Sequence, residues 1–514
     1  MKRFLEKHQD KKTVGTLSCF DRVLFKGHLP VARPEVMANV MKREGAQIRD
    51  FKEFVGRYSA QVADHARQTA AVAGRPVVPV ARKDERKEDL AREIAVRDGI
   101  ADGLVCVITA LEPVNSFNVR GTADRGLRLV PGVRKCNCFY YYFLDPALGL
   151  LHVRITSWFP FTVQVCVQGH DYVALRLRQE GVGFEQVENA FVRIDDWGRA
   201  QEFADELLDF DWTSFLDGYA RQANPLLDTL LGGDRYRWVT EQAEYSTDVV
   251  FRDPPTLQPL YDELLRHAHL AFGAEDIMGF LGRKLHSAFQ GELATFYKRR
   301  WPGARVRHQM KGNWLKMYAK HGLIVRVETV INRPYEFKVR RWGKRKGQSV
   351  HGWFPMAKGV ANFRRYAEVS LSANNRYLDA LAVVKDPREA RESLAELTAP
   401  AVSGGRRCRG FNPLAEPDLA LFAAVLKGDH LIQGFRNRHL RELLFGQPAD
   451  EAEQRRQSAR VTRLLRILHA HKLVAKVPRT RCWRVSVAGH RLLPTVIKVQ
   501  RIEYPEVYDE LNAS

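Results

Sequence analysis

The sequence predicts a multidomain protein of mixed α+β / α/β class: an N-terminal α/β body, a basic domain containing a β-hairpin, and a helical module at the C-terminus. Three observations predict it. Strands and helices alternate through the first 125 residues, three short strands follow one another inside a very basic segment, and helical apolar spacing recurs three times near the C-terminus ahead of two short strands. With 514 residues, 45% of them hydrophobic and 27% charged, the chain has a globular composition and room for several cores.

Residues 14–29, VGTLSCFDRVLFKGHL, alternate as one or two strands about a turn at Gly27. Two helices are expected next, with Pro34 in a first helical turn and apolar spacing through Phe51, Phe54, Val55 and Tyr58. Then come a strand at Val77–Val80, a charged helix at Asp84–Val96 and an apolar strand at Leu104–Leu111. Asp21 and Glu112 fall near the expected strand ends, where catalytic carboxylates are often mounted. Residues 113–135, polar and containing Gly and Arg, read as a long connection. A hairpin of two strands follows around Asp145–Gly149, and a further strand runs through Gly169 into a helix that begins with His170 and Asp171. Helices at Asp196–Leu208 and Trp212–Leu231, a strand at Trp238–Phe251 and a largely helical stretch over 255–297 complete the first half.

Charge is distributed unevenly. Residues 298–365 hold nineteen Lys and Arg against Glu328 and Glu336, giving +17, and residues 403–499 carry nineteen basic and seven acidic residues, giving +12. The net charge of the whole chain is +21, so the remainder is acidic and two segments hold all the basic excess. Solubility alone does not require such concentration, whereas a polyanionic partner does. In the first segment Trp314, Tyr318, Tyr335, Phe337 and Trp342 are interleaved with cations, which suits phosphates flanked by stackable bases. Strands are expected at Arg305–Met310, Asn313–Ala319 and Leu323–Ile331, with turns at Gly312 and at His321 and Gly322. Two-residue spacing places Lys316, Tyr318 and Lys320 on one face and Arg326 and Glu328 on one face of the next strand. Pairing would merge them into a basic surface with one carboxylate. Lys311, Trp314, Arg340, Arg341, Lys344, Arg345 and Lys346 extend this nucleic-acid-binding set.

Residues 399–413 have linker composition with a basic clamp at Arg406, Arg407 and Arg409. Helices follow at Asp418–Leu426, Asn437–Leu444 and Glu453–His471, then KLVAKVPRTRCWRVSVAGHRLL as strand, turn, strand and the start of a helix. This segment is similar to the winged helix-turn-helix of bacterial regulators. The resemblance implies that the third helix reads a major groove through Arg455, Arg456, Ser458, Arg460 and Arg463, with Lys476, Arg479 and Arg481 on the wing. Lys316-x-Tyr318-x-Lys320 followed by Arg326-x-Glu328 resembles the hairpin motif of plasmid and phage rolling-circle replication initiators. That resemblance implies a divalent metal held with the help of Glu328 and a tyrosine nucleophile farther along, for which Tyr366 and Tyr377 are candidates. The chain departs from that pattern in lacking a His pair on one strand. Over most of its length, FDRVLFKGHL, SWFPFTVQVCVQGH, NWLKMYAKHGLIVRVETVIN and the C-terminal segment resemble a family of bacterial proteins ending in a winged helix-turn-helix, which implies shared architecture and no particular activity.

The expected organisation is an α/β domain over 1–125, an α+β domain over 126–290, a basic β-rich domain with a helical end over 291–400, a linker over 401–413, the winged helix over 414–499 and a tail over 500–514. No phosphate-binding G-x-x-x-x-G-K-S/T loop or dinucleotide fingerprint occurs, and seven scattered cysteines read as reduced thiols without zinc-ribbon spacing. No apolar run approaches the length of a membrane span. The expectation is a cytoplasmic nucleic-acid-binding protein without a resident cofactor, DNA favoured and RNA open, serving a mobile element or regulation. The alternative is a metal-dependent nuclease, transposase or replication initiator using Mg²⁺ and Glu328.

Overall fold

The computed structural model describes residues 1–8, 13–80, 86–122, 126–286, 289–300, 303–384, 394–428, 430, 434–478 and 480–505. Arg479, expected on the wing, lies outside the described residues. The fold mixes helices with a large mixed sheet. The chain forms two interleaved units. One consists of Gly15–Val249 and Glu328–Leu371, the other of Met1–Val14, Val250–Val327 and Ser372–Ser514.

The strands are β1 (Thr13–His28), β2 (Val77–Pro79), β3 (Gly103–Thr122), β4 (Gly126–Asp145), β5 (Gly149–Thr156), β6 (Val163–Val167), β7 (Phe184–Val187), β8 (Ala190–Ile194) and β9 (Arg237–Phe251). They continue with β10 (Leu293–Arg300), β11 (Gly303–Met310), β12 (Asn313–Lys320), β13 (Ile324–Ile331), β14 (Lys338–Arg345) and β15 (Gln348–Pro355). Four short ones end the series: β16 (Ala401–Ser403), β17 (Arg406–Cys408), β18 (Val474–Lys476) and β19 (Trp483–Val485).

Within the larger unit the sheet order is the C-terminal half of β13, then β9-β1-β6-β5-β4-β3-β2. The pairs β1–β6, β6–β5, β5–β4 and β4–β3 are antiparallel, and β2 runs parallel to β3, where Val77 stands opposite Val107. Aromatic residues fill one side of the middle. Phe20 stacks on Phe363 at 4.4 Å and meets Tyr245 edge-on at 5.1 Å, and Phe25 lies 4.6 Å from Trp212.

Three expectations about this unit are corrected. Residues 113–122 and 126–135 are not loop but the outer parts of two paired strands, each 20 residues long, matched from Gly103 with Leu144 to Thr122 with Gly126. Their Gly and Arg content suggested a connection, yet the ladder satisfies the backbone and Val114, Phe117 and Leu129 are buried, Phe117 against Phe51. Asp21 and Glu112 stand in mid-strand rather than at strand ends. Gly27 does not turn the chain. It continues β1 and makes room for aromatic rings, since a Cβ there would lie 2.7 Å from the Tyr236 ring.

In the other unit, β10 to the N-terminal half of β13 form an antiparallel meander in sequence order. The two tight turns show positive φ at Lys311, Gly312, His321 and Gly322, the geometry of a two-residue hairpin loop that matches strand twist. The helical expectation for 255–297 holds for Pro254–Leu270 and Ala274–Phe280, but Leu293 onward is strand because Leu293 to Arg300 pair with β11. Residues expected as linker include the β16–β17 hairpin, and Arg409 is ion-paired with buried Asp418.

The C-terminal part packs helices Glu416–Val425, Asn437–Phe445 and Glu451–Ala470 about Leu419, Phe422, Leu440, Val461, Leu465 and Leu468. The β18–β19 hairpin follows, Phe435 bridges to Trp483, and helix Val487–Lys498 closes on the same core. Among the described residues no helix is long and apolar enough to cross a membrane, and all seven cysteines are free thiols.

Candidate carboxylate centre

The larger unit gathers acids on one face of three adjacent strands. On β1, Ser18 and Phe20 point to the aromatic side, with Ser18 Oγ 3.0 Å from Thr247 Oγ1. Phe20 and Phe25, an odd number of residues apart, both pack on Phe363. The alternation therefore slips by one residue between them, as in a β-bulge, and Asp21 and Arg22 both reach the opposite face. Tyr245 and Thr247 of β9 share the aromatic side with Phe20 and Ser18, so period two turns Glu244 and Asp248 the other way.

Asp21, Glu244 and Glu328 each bring one carboxylate oxygen within 4.8 Å of the others. Relative exposure is 7%, 7% and 1%, respectively. Three carboxylates this close and this dry repel one another strongly, and such a group calls for positive charge. Part of it is supplied by Arg22, whose guanidinium donates to Glu244 Oε1 at 2.8 Å. Burial opposes the charge on Arg22, but the neighbouring Glu244 carboxylate outweighs it and holds the group above its ordinary range.

His170 adds a polar contact to Asp21. It is the second residue of helix Gly169–Gln179, which follows β6, the neighbour of β1. Gly169 permits this close seat: a Cβ there would come within 2.1 Å of the Phe20 carbonyl oxygen. His170 Nδ1 lies 3.1 Å from Asp21 Oδ1, and Nε2 lies 3.7 Å from Asp248 Oδ2 and 3.5 Å from Cys19 Sγ. At the β7–β8 turn, Asn189 donates to Asp21 Oδ1 at 2.6 Å. The carboxylates thus sit in a framework of polar contacts that fixes their orientation, as the surroundings of metal ligands do. An all-oxygen donor set of carboxylates suits a hard divalent cation such as Mg²⁺ or Mn²⁺.

The expected basic surface is corrected here. Every residue of β13 is buried, with Arg326 at 0% exposure, so Arg326 and Glu328 do not lie on an open face. The alternating polar residues of IVRVETVI suggested one solvated side; in a strand covered on both faces they are internal. Tyr366 and Tyr377, the candidate nucleophiles, are completely buried in helix Phe363–Leu381. The Tyr366 hydroxyl reaches the Thr240 carbonyl at 3.4 Å, while Tyr377 lies 3.1 Å from His308 Nε2. Burial raises the pKa of both phenols.

Glu112 is occupied elsewhere. Tyr140 and Arg154 donate to it and Lys87 lies 3.4 Å away. Burial would raise its pKa, but the Tyr140 and Arg154 hydrogen bonds and charges prevail and hold it low.

The remaining predicted residues are distributed over both units. Trp314 is flanked by Arg307 and Lys316, at 5.1 and 5.6 Å from the ring centroid, and Lys311 lies over Phe289. Tyr318 and Lys320 are half-buried on β12. Arg340, Arg341, Lys344, Arg345 and Lys346 are exposed on the β14–β15 hairpin, as are Arg406 and Arg407 on β17. On helix Glu451–Ala470, Arg455 and Arg456 are paired with Glu451 and Glu453, Ser458 donates to Asn437, Arg460 covers Phe445 and Arg463 is exposed. Lys476 and Arg481 are exposed at the β18–β19 hairpin.

Sequence reasoning missed Glu244 and Asp248. The available signal was EQAEYSTD, in which they share a face at i and i+4. No protein-family model, curated protein or solved structure matches the chain.

Proposed function

We propose that this protein engages nucleic acid and uses the Asp21–Glu244–Glu328 centre to hold a divalent cation for cutting or joining phosphodiesters. The convergence of three buried carboxylates from three neighbouring strands carries the chemical part of this reading. A cation there would polarise a phosphoryl oxygen or lower the pKa of a bound water. Arg22 and His170 would keep the carboxylates oriented. The metal-holding role implied for Glu328 by its resemblance to rolling-circle initiators is supported by its acidic neighbours, whereas the buried tyrosines favour water over a phenol as nucleophile.

The nucleic-acid part rests on two features. The three helices, the β18–β19 hairpin and the closing helix have the order of a winged helix-turn-helix, with Lys476 and Arg481 where wing cations stand. The β14–β15 hairpin adds six Lys and Arg and no acid. Incubation of supercoiled plasmid with the protein and Mn²⁺ or Mg²⁺ tests the reading. Metal-dependent nicking that Glu328→Gln abolishes, with DNA binding retained, is expected; absence of nicking with either metal would defeat the catalytic claim.

A second reading is a DNA-binding regulator without chemistry. The low exposure of the three acids and the pairing of Arg22 with Glu244 favour it, since both also describe an internal ionic network.

A further inference from the structure

The β14–β15 hairpin is asymmetric in a way that charge alone does not require. Its loop consists of Lys346 and Gly347, both at positive φ, and its register pairs Trp342 with His351 and Arg340 with Trp353. On one face, Phe354 lies flat over Gly343, where a Cβ would come within 2.7 Å of the ring, and Arg341 and Arg345 stand 5.0 and 5.7 Å from its centroid. That aromatic is covered by the hairpin itself. The other face leaves its two indoles in water, Trp342 at 68% and Trp353 at 51% exposure.

Apolar rings of this size are costly to expose unless something covers them. Trp342 and Trp353 are diagonal neighbours on one face, so their side chains start about 7–8 Å apart. Arg340 and Lys344 share that face with them, and Arg365 lies 5.2 Å from the Trp353 centroid. Arg365 is paired with Glu368 at 2.7 Å, but the hairpin itself has no carboxylate to answer Arg340 and Lys344. A partner that fits must bring negative charge at close intervals and flat apolar faces between the charges. Unpaired nucleotides do this. Duplex DNA meets the charge requirement but hides the base faces in its own stack, leaving only edges and backbone for a ribbon.

We propose that the Trp342–Trp353 face of this hairpin binds single-stranded nucleic acid by base stacking, with Arg340 and Lys344 on the phosphates. This rests on the nucleic-acid reading above and specifies the form of ligand. The full-length protein is titrated, at one fixed salt concentration, with fluorescein-labelled oligo(dT), oligo(U) and a duplex of the same length.

Trp342→Ala and Trp353→Ala should each weaken oligo(dT) binding at least fivefold while changing duplex affinity less than twofold, and Trp342→Phe should retain most of the affinity. Equal losses with oligo(U) identify stacking common to DNA and RNA; a loss confined to either one still supports the proposal and identifies the strand type. Unchanged single-strand affinity, or equal loss on single strand and duplex, overturns the stacking role and leaves nucleic-acid binding standing. No binding of any probe by the parent protein overturns both.

Discussion

Glu328 owes its status to residues remote in sequence. Alone in a basic segment it reads as a lone carboxylate among cations; beside Asp21 and Glu244 it belongs to a buried group of three carboxylates with oxygens within 4.8 Å of one another. Gly169 is the small residue on which His170 depends. Gly169→Ala should cost about 1–3 kcal/mol by forcing the helix off β1, measured as a lower urea midpoint with an unchanged m-value. Asp21 was legible as a candidate carboxylate and His170 as a junction residue, but their association was not, because it depends on the order of β6, β1, β9 and β13 in the sheet. Glu244 gave only an alternating pattern, which a salt-bridged surface strand would share.

At the scale of elements, local patterns were read best where one face is buried and turn chemistry is explicit. The turns at Gly312 and at His321 and Gly322, the strand entering helix Gly169–Gln179 and the three C-terminal helices follow from periodicity and from residues that accept positive φ. The β3–β4 hairpin and β13 were misread for opposite reasons. In the first, glycine and arginine sit on a long ribbon whose partner strand supplies the order; in the second, polar residues are internal. The β18–β19 hairpin gives its own test. Lys476→Ala or Arg481→Ala should weaken duplex binding without regard to sequence and reduce the slope of log affinity against log salt by about 0.9 for each phosphate no longer neutralised. An unchanged slope would separate that hairpin from DNA.

Across the whole molecule, buried histidines set the response to acid. Burial pushes His308 down to about 3 and His152, His267 and His490 down to about 4, below the ordinary value of 6.5. The unfolded chain takes up these protons as pH falls through 6.5, and the folded chain resists doing so. Their contribution is complete above that pH and declines toward pH 4. Asp276, raised by burial to about 6, acts in the opposite sense and offsets part of the decline. Urea midpoints should therefore fall between pH 7 and pH 5. The two interleaved units also mean that no single cut in the sequence separates them: residues 250–327, which belong to one unit, lie in sequence between the two segments of the other.

The central claim is that three carboxylates form one cation site, and calorimetric titration of the metal-free protein with Mn²⁺ tests it most directly. The expected result is saturable binding that Asp21→Asn, Glu244→Gln and Glu328→Gln each weaken at least tenfold while the far-ultraviolet circular dichroism is unchanged. Equal Mn²⁺ binding by the parent protein and all three folded variants, or no binding by the parent, would contradict it.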